Sequence, residues 1–198
     1  MVINSRKELY SVLNYERERW KKKPVLSWFG WLKQYLALFF LPGNPYSFMF
    51  CLRHLEFYKG RSGGGKLLYC IFYYKFRILQ NSTGIDLWPG VAEKGVKINH
   101  GKCVVSRASV IGEDSMILSD VTIGGLGGLR DYDGAPKLGK RVVVCSGAKI
   151  IGPITIADGV VIGAYAVVLK DIVEPNITVA GIPAKKINES GSGNYIVN

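Results

Sequence analysis

The stretch LGKRVVVCSGAKIIGPITIADGVVIGAYAVV, residues 138–168, decides the fold. Aliphatic side chains recur in it every six positions, at Leu138, Val144, Ile150, Ile156, Ile162 and Val168. A second series of the same period runs through Val142, Ala148, Ile154, Val160, Ala166 and Ile172. A helix repeats every ~3.6 residues and a strand every ~2, so neither alone sustains a period of six. A short strand followed by a turn does. Three such units close one triangular coil, and stacked coils put one aliphatic side chain per face into a shared interior. Small or turn-forming residues after many of these positions (Gly112, Gly124, Gly139, Ala157 and Gly163) are expected to let the backbone turn its corners.

Working outward, the same period appears upstream at Val105, Ile111, Ile117 and Ile123. From Ile123 to Leu138 the interval is 15, so the phase slips by three, and residues 126–136 are expected as a loop expelled from the solenoid. Loops thrown out of a rigid scaffold commonly carry binding chemistry. The repeat stops at Glu174-Pro175. Open backbone edges at the ends of a coil need covering, and flat faces invite cyclic closure, here as a homotrimer.

The rest of the chain has a different character. Of 198 residues with a net charge of +11, the first 85 hold 14 Lys+Arg against 4 acidic residues, while residues 86–198 hold 12 against 11. All 8 Phe, 8 of 11 Tyr and 3 of 4 Trp also lie before residue 86. With 48% hydrophobic residues, disordered, collagenous and disulfide-scaffold classes are excluded. The four cysteines, Cys51, Cys70, Cys103 and Cys145, lack zinc spacing and read as reduced thiols of a cytoplasmic protein. The start MVINSRKELYSVLNYERERW has no apolar core of a secretory signal.

Residues 1–83 are expected to form a basic, aromatic helical region, residues 84–187 the coil, and residues 188–198 a tail. The longest uncharged run, Gln34–Leu52, is broken by Pro42-Gly43-Asn44-Pro45 into two short apolar pieces, which argues against a transmembrane helix. Peripheral membrane contact through residues 20–80 stays open, because Trp20, Trp28, Trp31 and Lys21-Lys22-Lys23 suit a headgroup region. Ordinary packing of those aromatic faces is the alternative. Gly60-Arg61-Ser62-Gly63-Gly64-Gly65-Lys66 imitates a phosphate-binding loop, but Leu67 stands where a hydroxyl must hold magnesium, so it reads as a turn. No nucleic-acid motif accompanies the positive charge.

The segments GIDLWPG, INHG, ASVIGEDSMILSDVTIGG, APKLGKRVVVCSGAKIIG and AVVLKDIVEPNITVAGIPAKKI closely resemble the hexapeptide-repeat acyltransferases of the serine acetyltransferase branch. KKKPVLSWFGWLKQYLALFF and FYKGRSGGGKLLYCIFYYKFRIL resemble the helical lead-in of capsular polysaccharide O-acetyltransferases of that branch. The resemblance implies a mainly β fold, a left-handed parallel β-helix with an N-terminal α-helical region. It also implies acetyl-CoA as co-substrate, bound between neighbouring subunits, with no metal.

By that resemblance His100 matches the catalytic histidine. An alcohol is protonated at neutral pH, so a base within hydrogen-bond reach is worth about 10²–10⁴ in rate. Asp86 matches the aspartate that orients it, although the spacing of 14 is one residue short. A turn-capping role is the alternative for Asp86. Gly124 and Gly125 could offer a backbone N–H to the oxyanion, typically worth about 3–4 kcal/mol, or simply make a corner. Ser146 and Ala164 would line the pantetheine groove, and Lys185 and Lys186 would meet the CoA phosphates. Asn99 and Arg130 are expected to meet the acceptor. His54, the other histidine, reads as a surface or packing residue.

The serine enzymes usually carry Asp where this chain has Asn99, and His where it has Ala135. Those departures, and a tail ending GNYIVN without a terminal isoleucine, point to O-acetyl transfer onto a sugar hydroxyl of a capsular or surface polysaccharide or its precursor. A serine O-acetyltransferase with an altered acceptor pocket is the alternative. A non-catalytic solenoid scaffold is the third reading.

Overall fold

A computed structural model describes residues 1–20, 36, 43–126 and 134–196, and among them three helices with described bounds lead into the coil. Helix α1 (Arg6–Arg19) starts at Ser5, whose Oγ accepts from the Glu8 amide at 3.1 Å while Glu8 reaches back to the Asn4 amide at 2.9 Å. That reciprocal pairing satisfies two amides the helix itself cannot. Helix α2 (Pro45–Tyr58) begins at the turn read from the sequence, with Asn44 capping the Ser47 amide and Pro45 in its first turn. Gly60–Gly63 is a turn, as expected of that segment, while Gly64, Gly65 and Lys66 already open helix α3 (Gly64–Thr83). The first apolar piece, with Trp28 and Trp31, lies outside the described residues.

Gly84 ends α3 in the left-handed conformation (φ 68°) and turns the chain into β1 (Ile85–Asp86). The coil follows: β2 (Lys97–Ile98), β3 (Cys103–Val105), β4 (Val110–Ile111), β5 (Met116–Ile117), β6 (Val121–Gly124), β7 (Lys137–Leu138), β8 (Val143–Val144), β9 (Lys149–Ile151), β10 (Thr155–Ile156), β11 (Val161–Ile162), β12 (Val167–Val168) and β13 (Thr178–Ala180). They form three parallel sheets: a first face β1-β3-β6-β9-β12, a second β4-β7-β10, and a third β2-β5-β8-β11-β13. Strand β14 (Lys185–Asn188) closes the third face antiparallel to β13. This is the left-handed parallel β-helix, mainly β with a helical N-terminal region. All ten positions of the principal six-residue series, from Val105 to Val168, are buried.

The corners turn for a different reason than the glycines suggested. Gly112, Gly139 and Gly163 do not have positive φ. A Cβ on Gly112 would run into the Gly139 backbone and one on Gly139 into Asp158, so small size there serves close stacking of coils. The left-handed turns fall instead on residues such as Asp114, Asp120, Arg141, Tyr165 and Asn176.

The helices are fastened to the first coil by charge. Arg53, fully buried on α2, pairs with Glu16 of α1 at 2.8 Å and with Glu56 at 2.9 Å, and donates to the carbonyls of Ala92 and Glu93. Glu16 and Glu56 in turn accept from the amides of Gly95 and Gly90. Arg19 donates to the Gly95 and Asp114 carbonyls, and Tyr15 to the Asp114 carboxylate at 2.8 Å. Open backbone groups at the head of the prism are thereby satisfied. His54 is a packing residue: it is buried between Phe50 and Phe72, with Nδ1 at 2.8 Å from the Phe50 carbonyl. The four cysteines are unpaired, and burial pushes the Cys51 and Cys103 thiols up to about 12. Among the described residues no helix is long and apolar enough to cross a membrane.

Candidate active site

His100 stands where the third face turns into the first, and one extra residue puts it there. Ile98 pairs with Ile117 and Cys103 with Val121, so four residues (99–102) make a corner that three (118–120) make in the next coil. His100, Gly101 and Lys102 all take positive φ (70°, 70° and 49°) to close it. A Cβ on Gly101 would strike the Thr83 carbonyl, so only glycine fits against the end of α3. The result is an exposed imidazole on a corner fixed from below: the Lys102 amide donates to Thr83 O and the Cys103 amide to Gly84 O. Among the described residues the ring makes no hydrogen bond.

The ladder of the third face places Ser119, Ser146 and Ala164 beneath this corner, one coil apart. Ser119 Oγ donates to Ser146 Oγ at 3.2 Å. The same edge ends near Lys185, which pairs with Ala180. With strands about 4.8 Å apart and five spacings from β2 to β14, His100 and the Lys185 level are separated by roughly 24 Å. Three of the expected residues thus share one edge. Lys186 is held by Glu174 at 2.6 Å and Glu189 at 2.7 Å, which raise its pKa, whereas Lys185 has no acidic partner among the described residues. Strand β14 is exposed throughout.

Among the described residues no hydrogen bond joins Asp86 to His100. Its Oδ1 accepts from Trp88 Nε1 at 2.9 Å and from Gln80 Nε2 at 3.3 Å, and Gln80 Oε1 in turn accepts from Arg77 at 2.6 Å. The pairing expected of Asp86 is therefore replaced by an indole and an amide from α3. Asp86 instead lines a shallow cleft of about 350 Å³ on the first face, together with Arg77, Trp88, Ser106, Arg107, Thr122 and Gly124. Neither Trp88 nor Arg107 was singled out by the sequence reading. A usable signal existed, since Trp88 is the one tryptophan beyond residue 83 and follows Asp86 by two positions.

Gly124 and Gly125 sit at the opposite edge of the first face, at the end of β6, where Gly124 O accepts from the Gly152 amide at 2.9 Å. Ser119, directly beneath the His100 corner, is six residues from Gly125, with the corner at Asp120 and strand β6 between them. Asn99 donates to Met116 Sδ at 3.5 Å, and Ala135 is buried beside the loop root. Arg130 lies outside the described residues. Among the described residues no group of three His, Cys, Asp or Glu side chains could hold a metal ion.

No family model matches the chain. A serine acetyltransferase from Helicobacter pylori is 40% identical over 124 residues, covering 60% of this chain and 71% of the relative. The chain belongs to the serine acetyltransferase family. A serine acetyltransferase from Synechococcus elongatus is likewise 40% identical over 111 residues, 55% of this chain and 45% of its own length. Among solved structures, the Brucella abortus serine acetyltransferase in complex with coenzyme A superposes with a TM-score of 0.68 at 28% identity, covering 94% of this chain and 70% of that one. The Neisseria gonorrhoeae serine acetyltransferase in complex with serine does so with a TM-score of 0.63 at 26% identity, covering 92% and 70%. These relatives overturn the expected polysaccharide acceptor: they are named for serine, and the solved structures that match cover 92–94% of this chain. Asn99 and Ala135 change two side chains near the site without changing the family.

Proposed function

We propose that this protein is an acetyl-CoA-dependent serine O-acetyltransferase. The observation that carries the reading is the match to the Helicobacter pylori enzyme across 71% of that relative. Neutral His100 accepts the proton of the serine hydroxyl as the oxygen attacks the thioester carbonyl. The proton then passes to the departing CoA thiolate, so acetyl leaves sulfur and joins oxygen in one direct transfer. The edge Ser146–Ala164 holds the pantetheine arm, and Lys185, free of acidic partners among the described residues, faces the CoA phosphates, with Lys186 beside it.

A tetrahedral intermediate needs its base and its oxyanion donor each about 3 Å away. His100 and Gly125 of one chain stand at the two edges of the first face, one before β3 and the other after β6. The two serve one reaction when Gly125 comes from a neighbouring protomer, which supports a homotrimer with three shared sites. Peripheral membrane contact has one supporting feature, the exposed stripe Leu67, Ile71, Tyr74 and Ile78 on α3, a helix with Lys66 and Arg77 and no acidic residue.

Mixing purified protein with acetyl-CoA and L-serine, and following thiol release with mass identification of the product, tests the activity. O-acetylserine formation at a rate well above acetyl-CoA hydrolysis is expected. CoA release that ignores added serine would remove the reading. Sedimentation velocity tests the trimer, and co-sedimentation with anionic vesicles the membrane contact.

A further inference from the structure

Between α2, α3 and the turn after β1 lies a cavity of about 170 Å³ that no step of the acetyl transfer uses. Tyr69, Tyr73 and Phe76, about one turn apart along α3, supply one wall, and Trp88 supplies another. The Tyr69 and Tyr73 rings lie near parallel, with centroids 6.1 Å apart, and Phe76 meets Trp88 edge-on at 5.9 Å. Phe76 is fully buried and forms the floor, whereas Tyr73 is 39% exposed and forms part of the rim. Two cations complete the lining. Lys59 caps the C-terminal end of α2, and Arg107 lies over Trp88 with its guanidinium carbon 3.5 Å from the ring centroid. Both are exposed, and the side chain of neither makes a hydrogen bond or ion pair among the described residues. No acidic residue lines the cavity. Arg77 also approaches Trp88, at 5.8 Å, but it is bonded to Gln80 and lines the first-face cleft with Asp86 instead.

We propose that this cavity is a binding site for a small aromatic carboxylate, one ring carrying one anionic head. An apolar cavity of about 150 Å³ holds benzene, so a space of about 170 Å³ takes a single ring and little more. Aromatic walls favour a planar π-system over a saturated ring, because offset and edge-on contacts add to the area buried. The cations choose the charge. Two unpaired positive groups at one opening, with no carboxylate among the lining residues, attract an anion and repel an ammonium. Stacking on Trp88 fixes the plane of the Arg107 guanidinium, whose parallel N–H groups match the two oxygens of a carboxylate. Lys59 adds a point charge beside it. The ligand is distinct from serine, which has no ring, and the site exists whatever the acceptor of the acetyl group.

Ligand-detected NMR titration of the whole protein with benzoate, benzyl alcohol, benzylamine and cyclohexanecarboxylate separates ring from charge. Benzoate should bind about 10-fold more tightly than benzylamine, and more tightly than the other two. Arg107→Gln should weaken benzoate about 10-fold and Lys59→Gln about three- to fivefold, each leaving benzyl alcohol as it was. Retained benzyl alcohol binding shows that the cavity itself survives each substitution. Tyr73→Ala should weaken benzoate and benzyl alcohol alike, by about three- to tenfold. Wild type that binds benzoate no better than benzylamine overturns the site. So does an unchanged preference for benzoate when Arg107→Gln and Lys59→Gln are combined, or an equal loss of benzoate and benzyl alcohol in both single variants. Cyclohexanecarboxylate bound as tightly as benzoate overturns the aromatic class. No acetyl donor or acceptor enters the titration, so its failure leaves serine acetylation standing, and failed serine acetylation leaves this site standing.

Discussion

His54 gives the helical cap a pH dependence whose size follows from its surroundings. The ring is 1% exposed, with Phe50 and Phe72 centroids at 4.3 and 4.4 Å. Burial lowers its pKa from 6.5 to about 4, against a smaller opposing effect of the bond to Phe50 O. Because the folded value lies below the unfolded one, protons bind the unfolded chain more readily. The stabilisation is complete above the unfolded value and is lost as pH falls through 6.5 toward 4. Linkage with these two values gives a loss of about 2 kcal/mol between about pH 7.5 and pH 5. Urea unfolding followed by tryptophan fluorescence at both pH values, for wild type and His54→Phe, isolates this contribution from the carboxylates. Wild type should lose about 2 kcal/mol more than the variant over that range. Equal losses in both proteins would refute the desolvated ring.

Other perturbations test the scaffold around the site. Arg53→Met removes the cation between Glu16 and Glu56, two buried carboxylates, and should destabilise by about 3–5 kcal/mol in the same unfolding assay. Ile117→Ala, in the middle of the prism, should cost about 2–5 kcal/mol by leaving a cavity between coils. Gly101→Ala meets both a left-handed backbone and the Thr83 carbonyl. It should cost about 1–3 kcal/mol and lower turnover by displacing His100, read by calorimetry and by CoA release.

The coil was legible because every buried position repeats with the period of the backbone itself. Val105 through Val168 are core in the structure, while most of the loop expected at the slip of 15 between Ile123 and Leu138 lies outside the described residues. The corners were less legible. Stacking the coils lets Arg141 and Tyr165 take left-handed φ, which residue identity alone argues against. The corner of His100 had a signal that went unused: Ile98 to Val105 is seven positions, not six, and the surplus residue pushes the imidazole outward. Asp86 was found and its partner was not, because Trp88 and Gln80 come from a turn and a helix that no repeat relates to it. The acceptor was misread because Asn99 and Ala135 report two changed side chains, whereas the relatives that match along the chain are named for serine.

The most direct measurement is the turnover of L-serine by His100→Ala beside its affinity for CoA. The account predicts that kcat/KM falls about 10²–10⁴-fold while CoA binding stays within about twofold, because the imidazole carries the proton and the edge below it carries the cofactor. A variant that keeps wild-type turnover would contradict it.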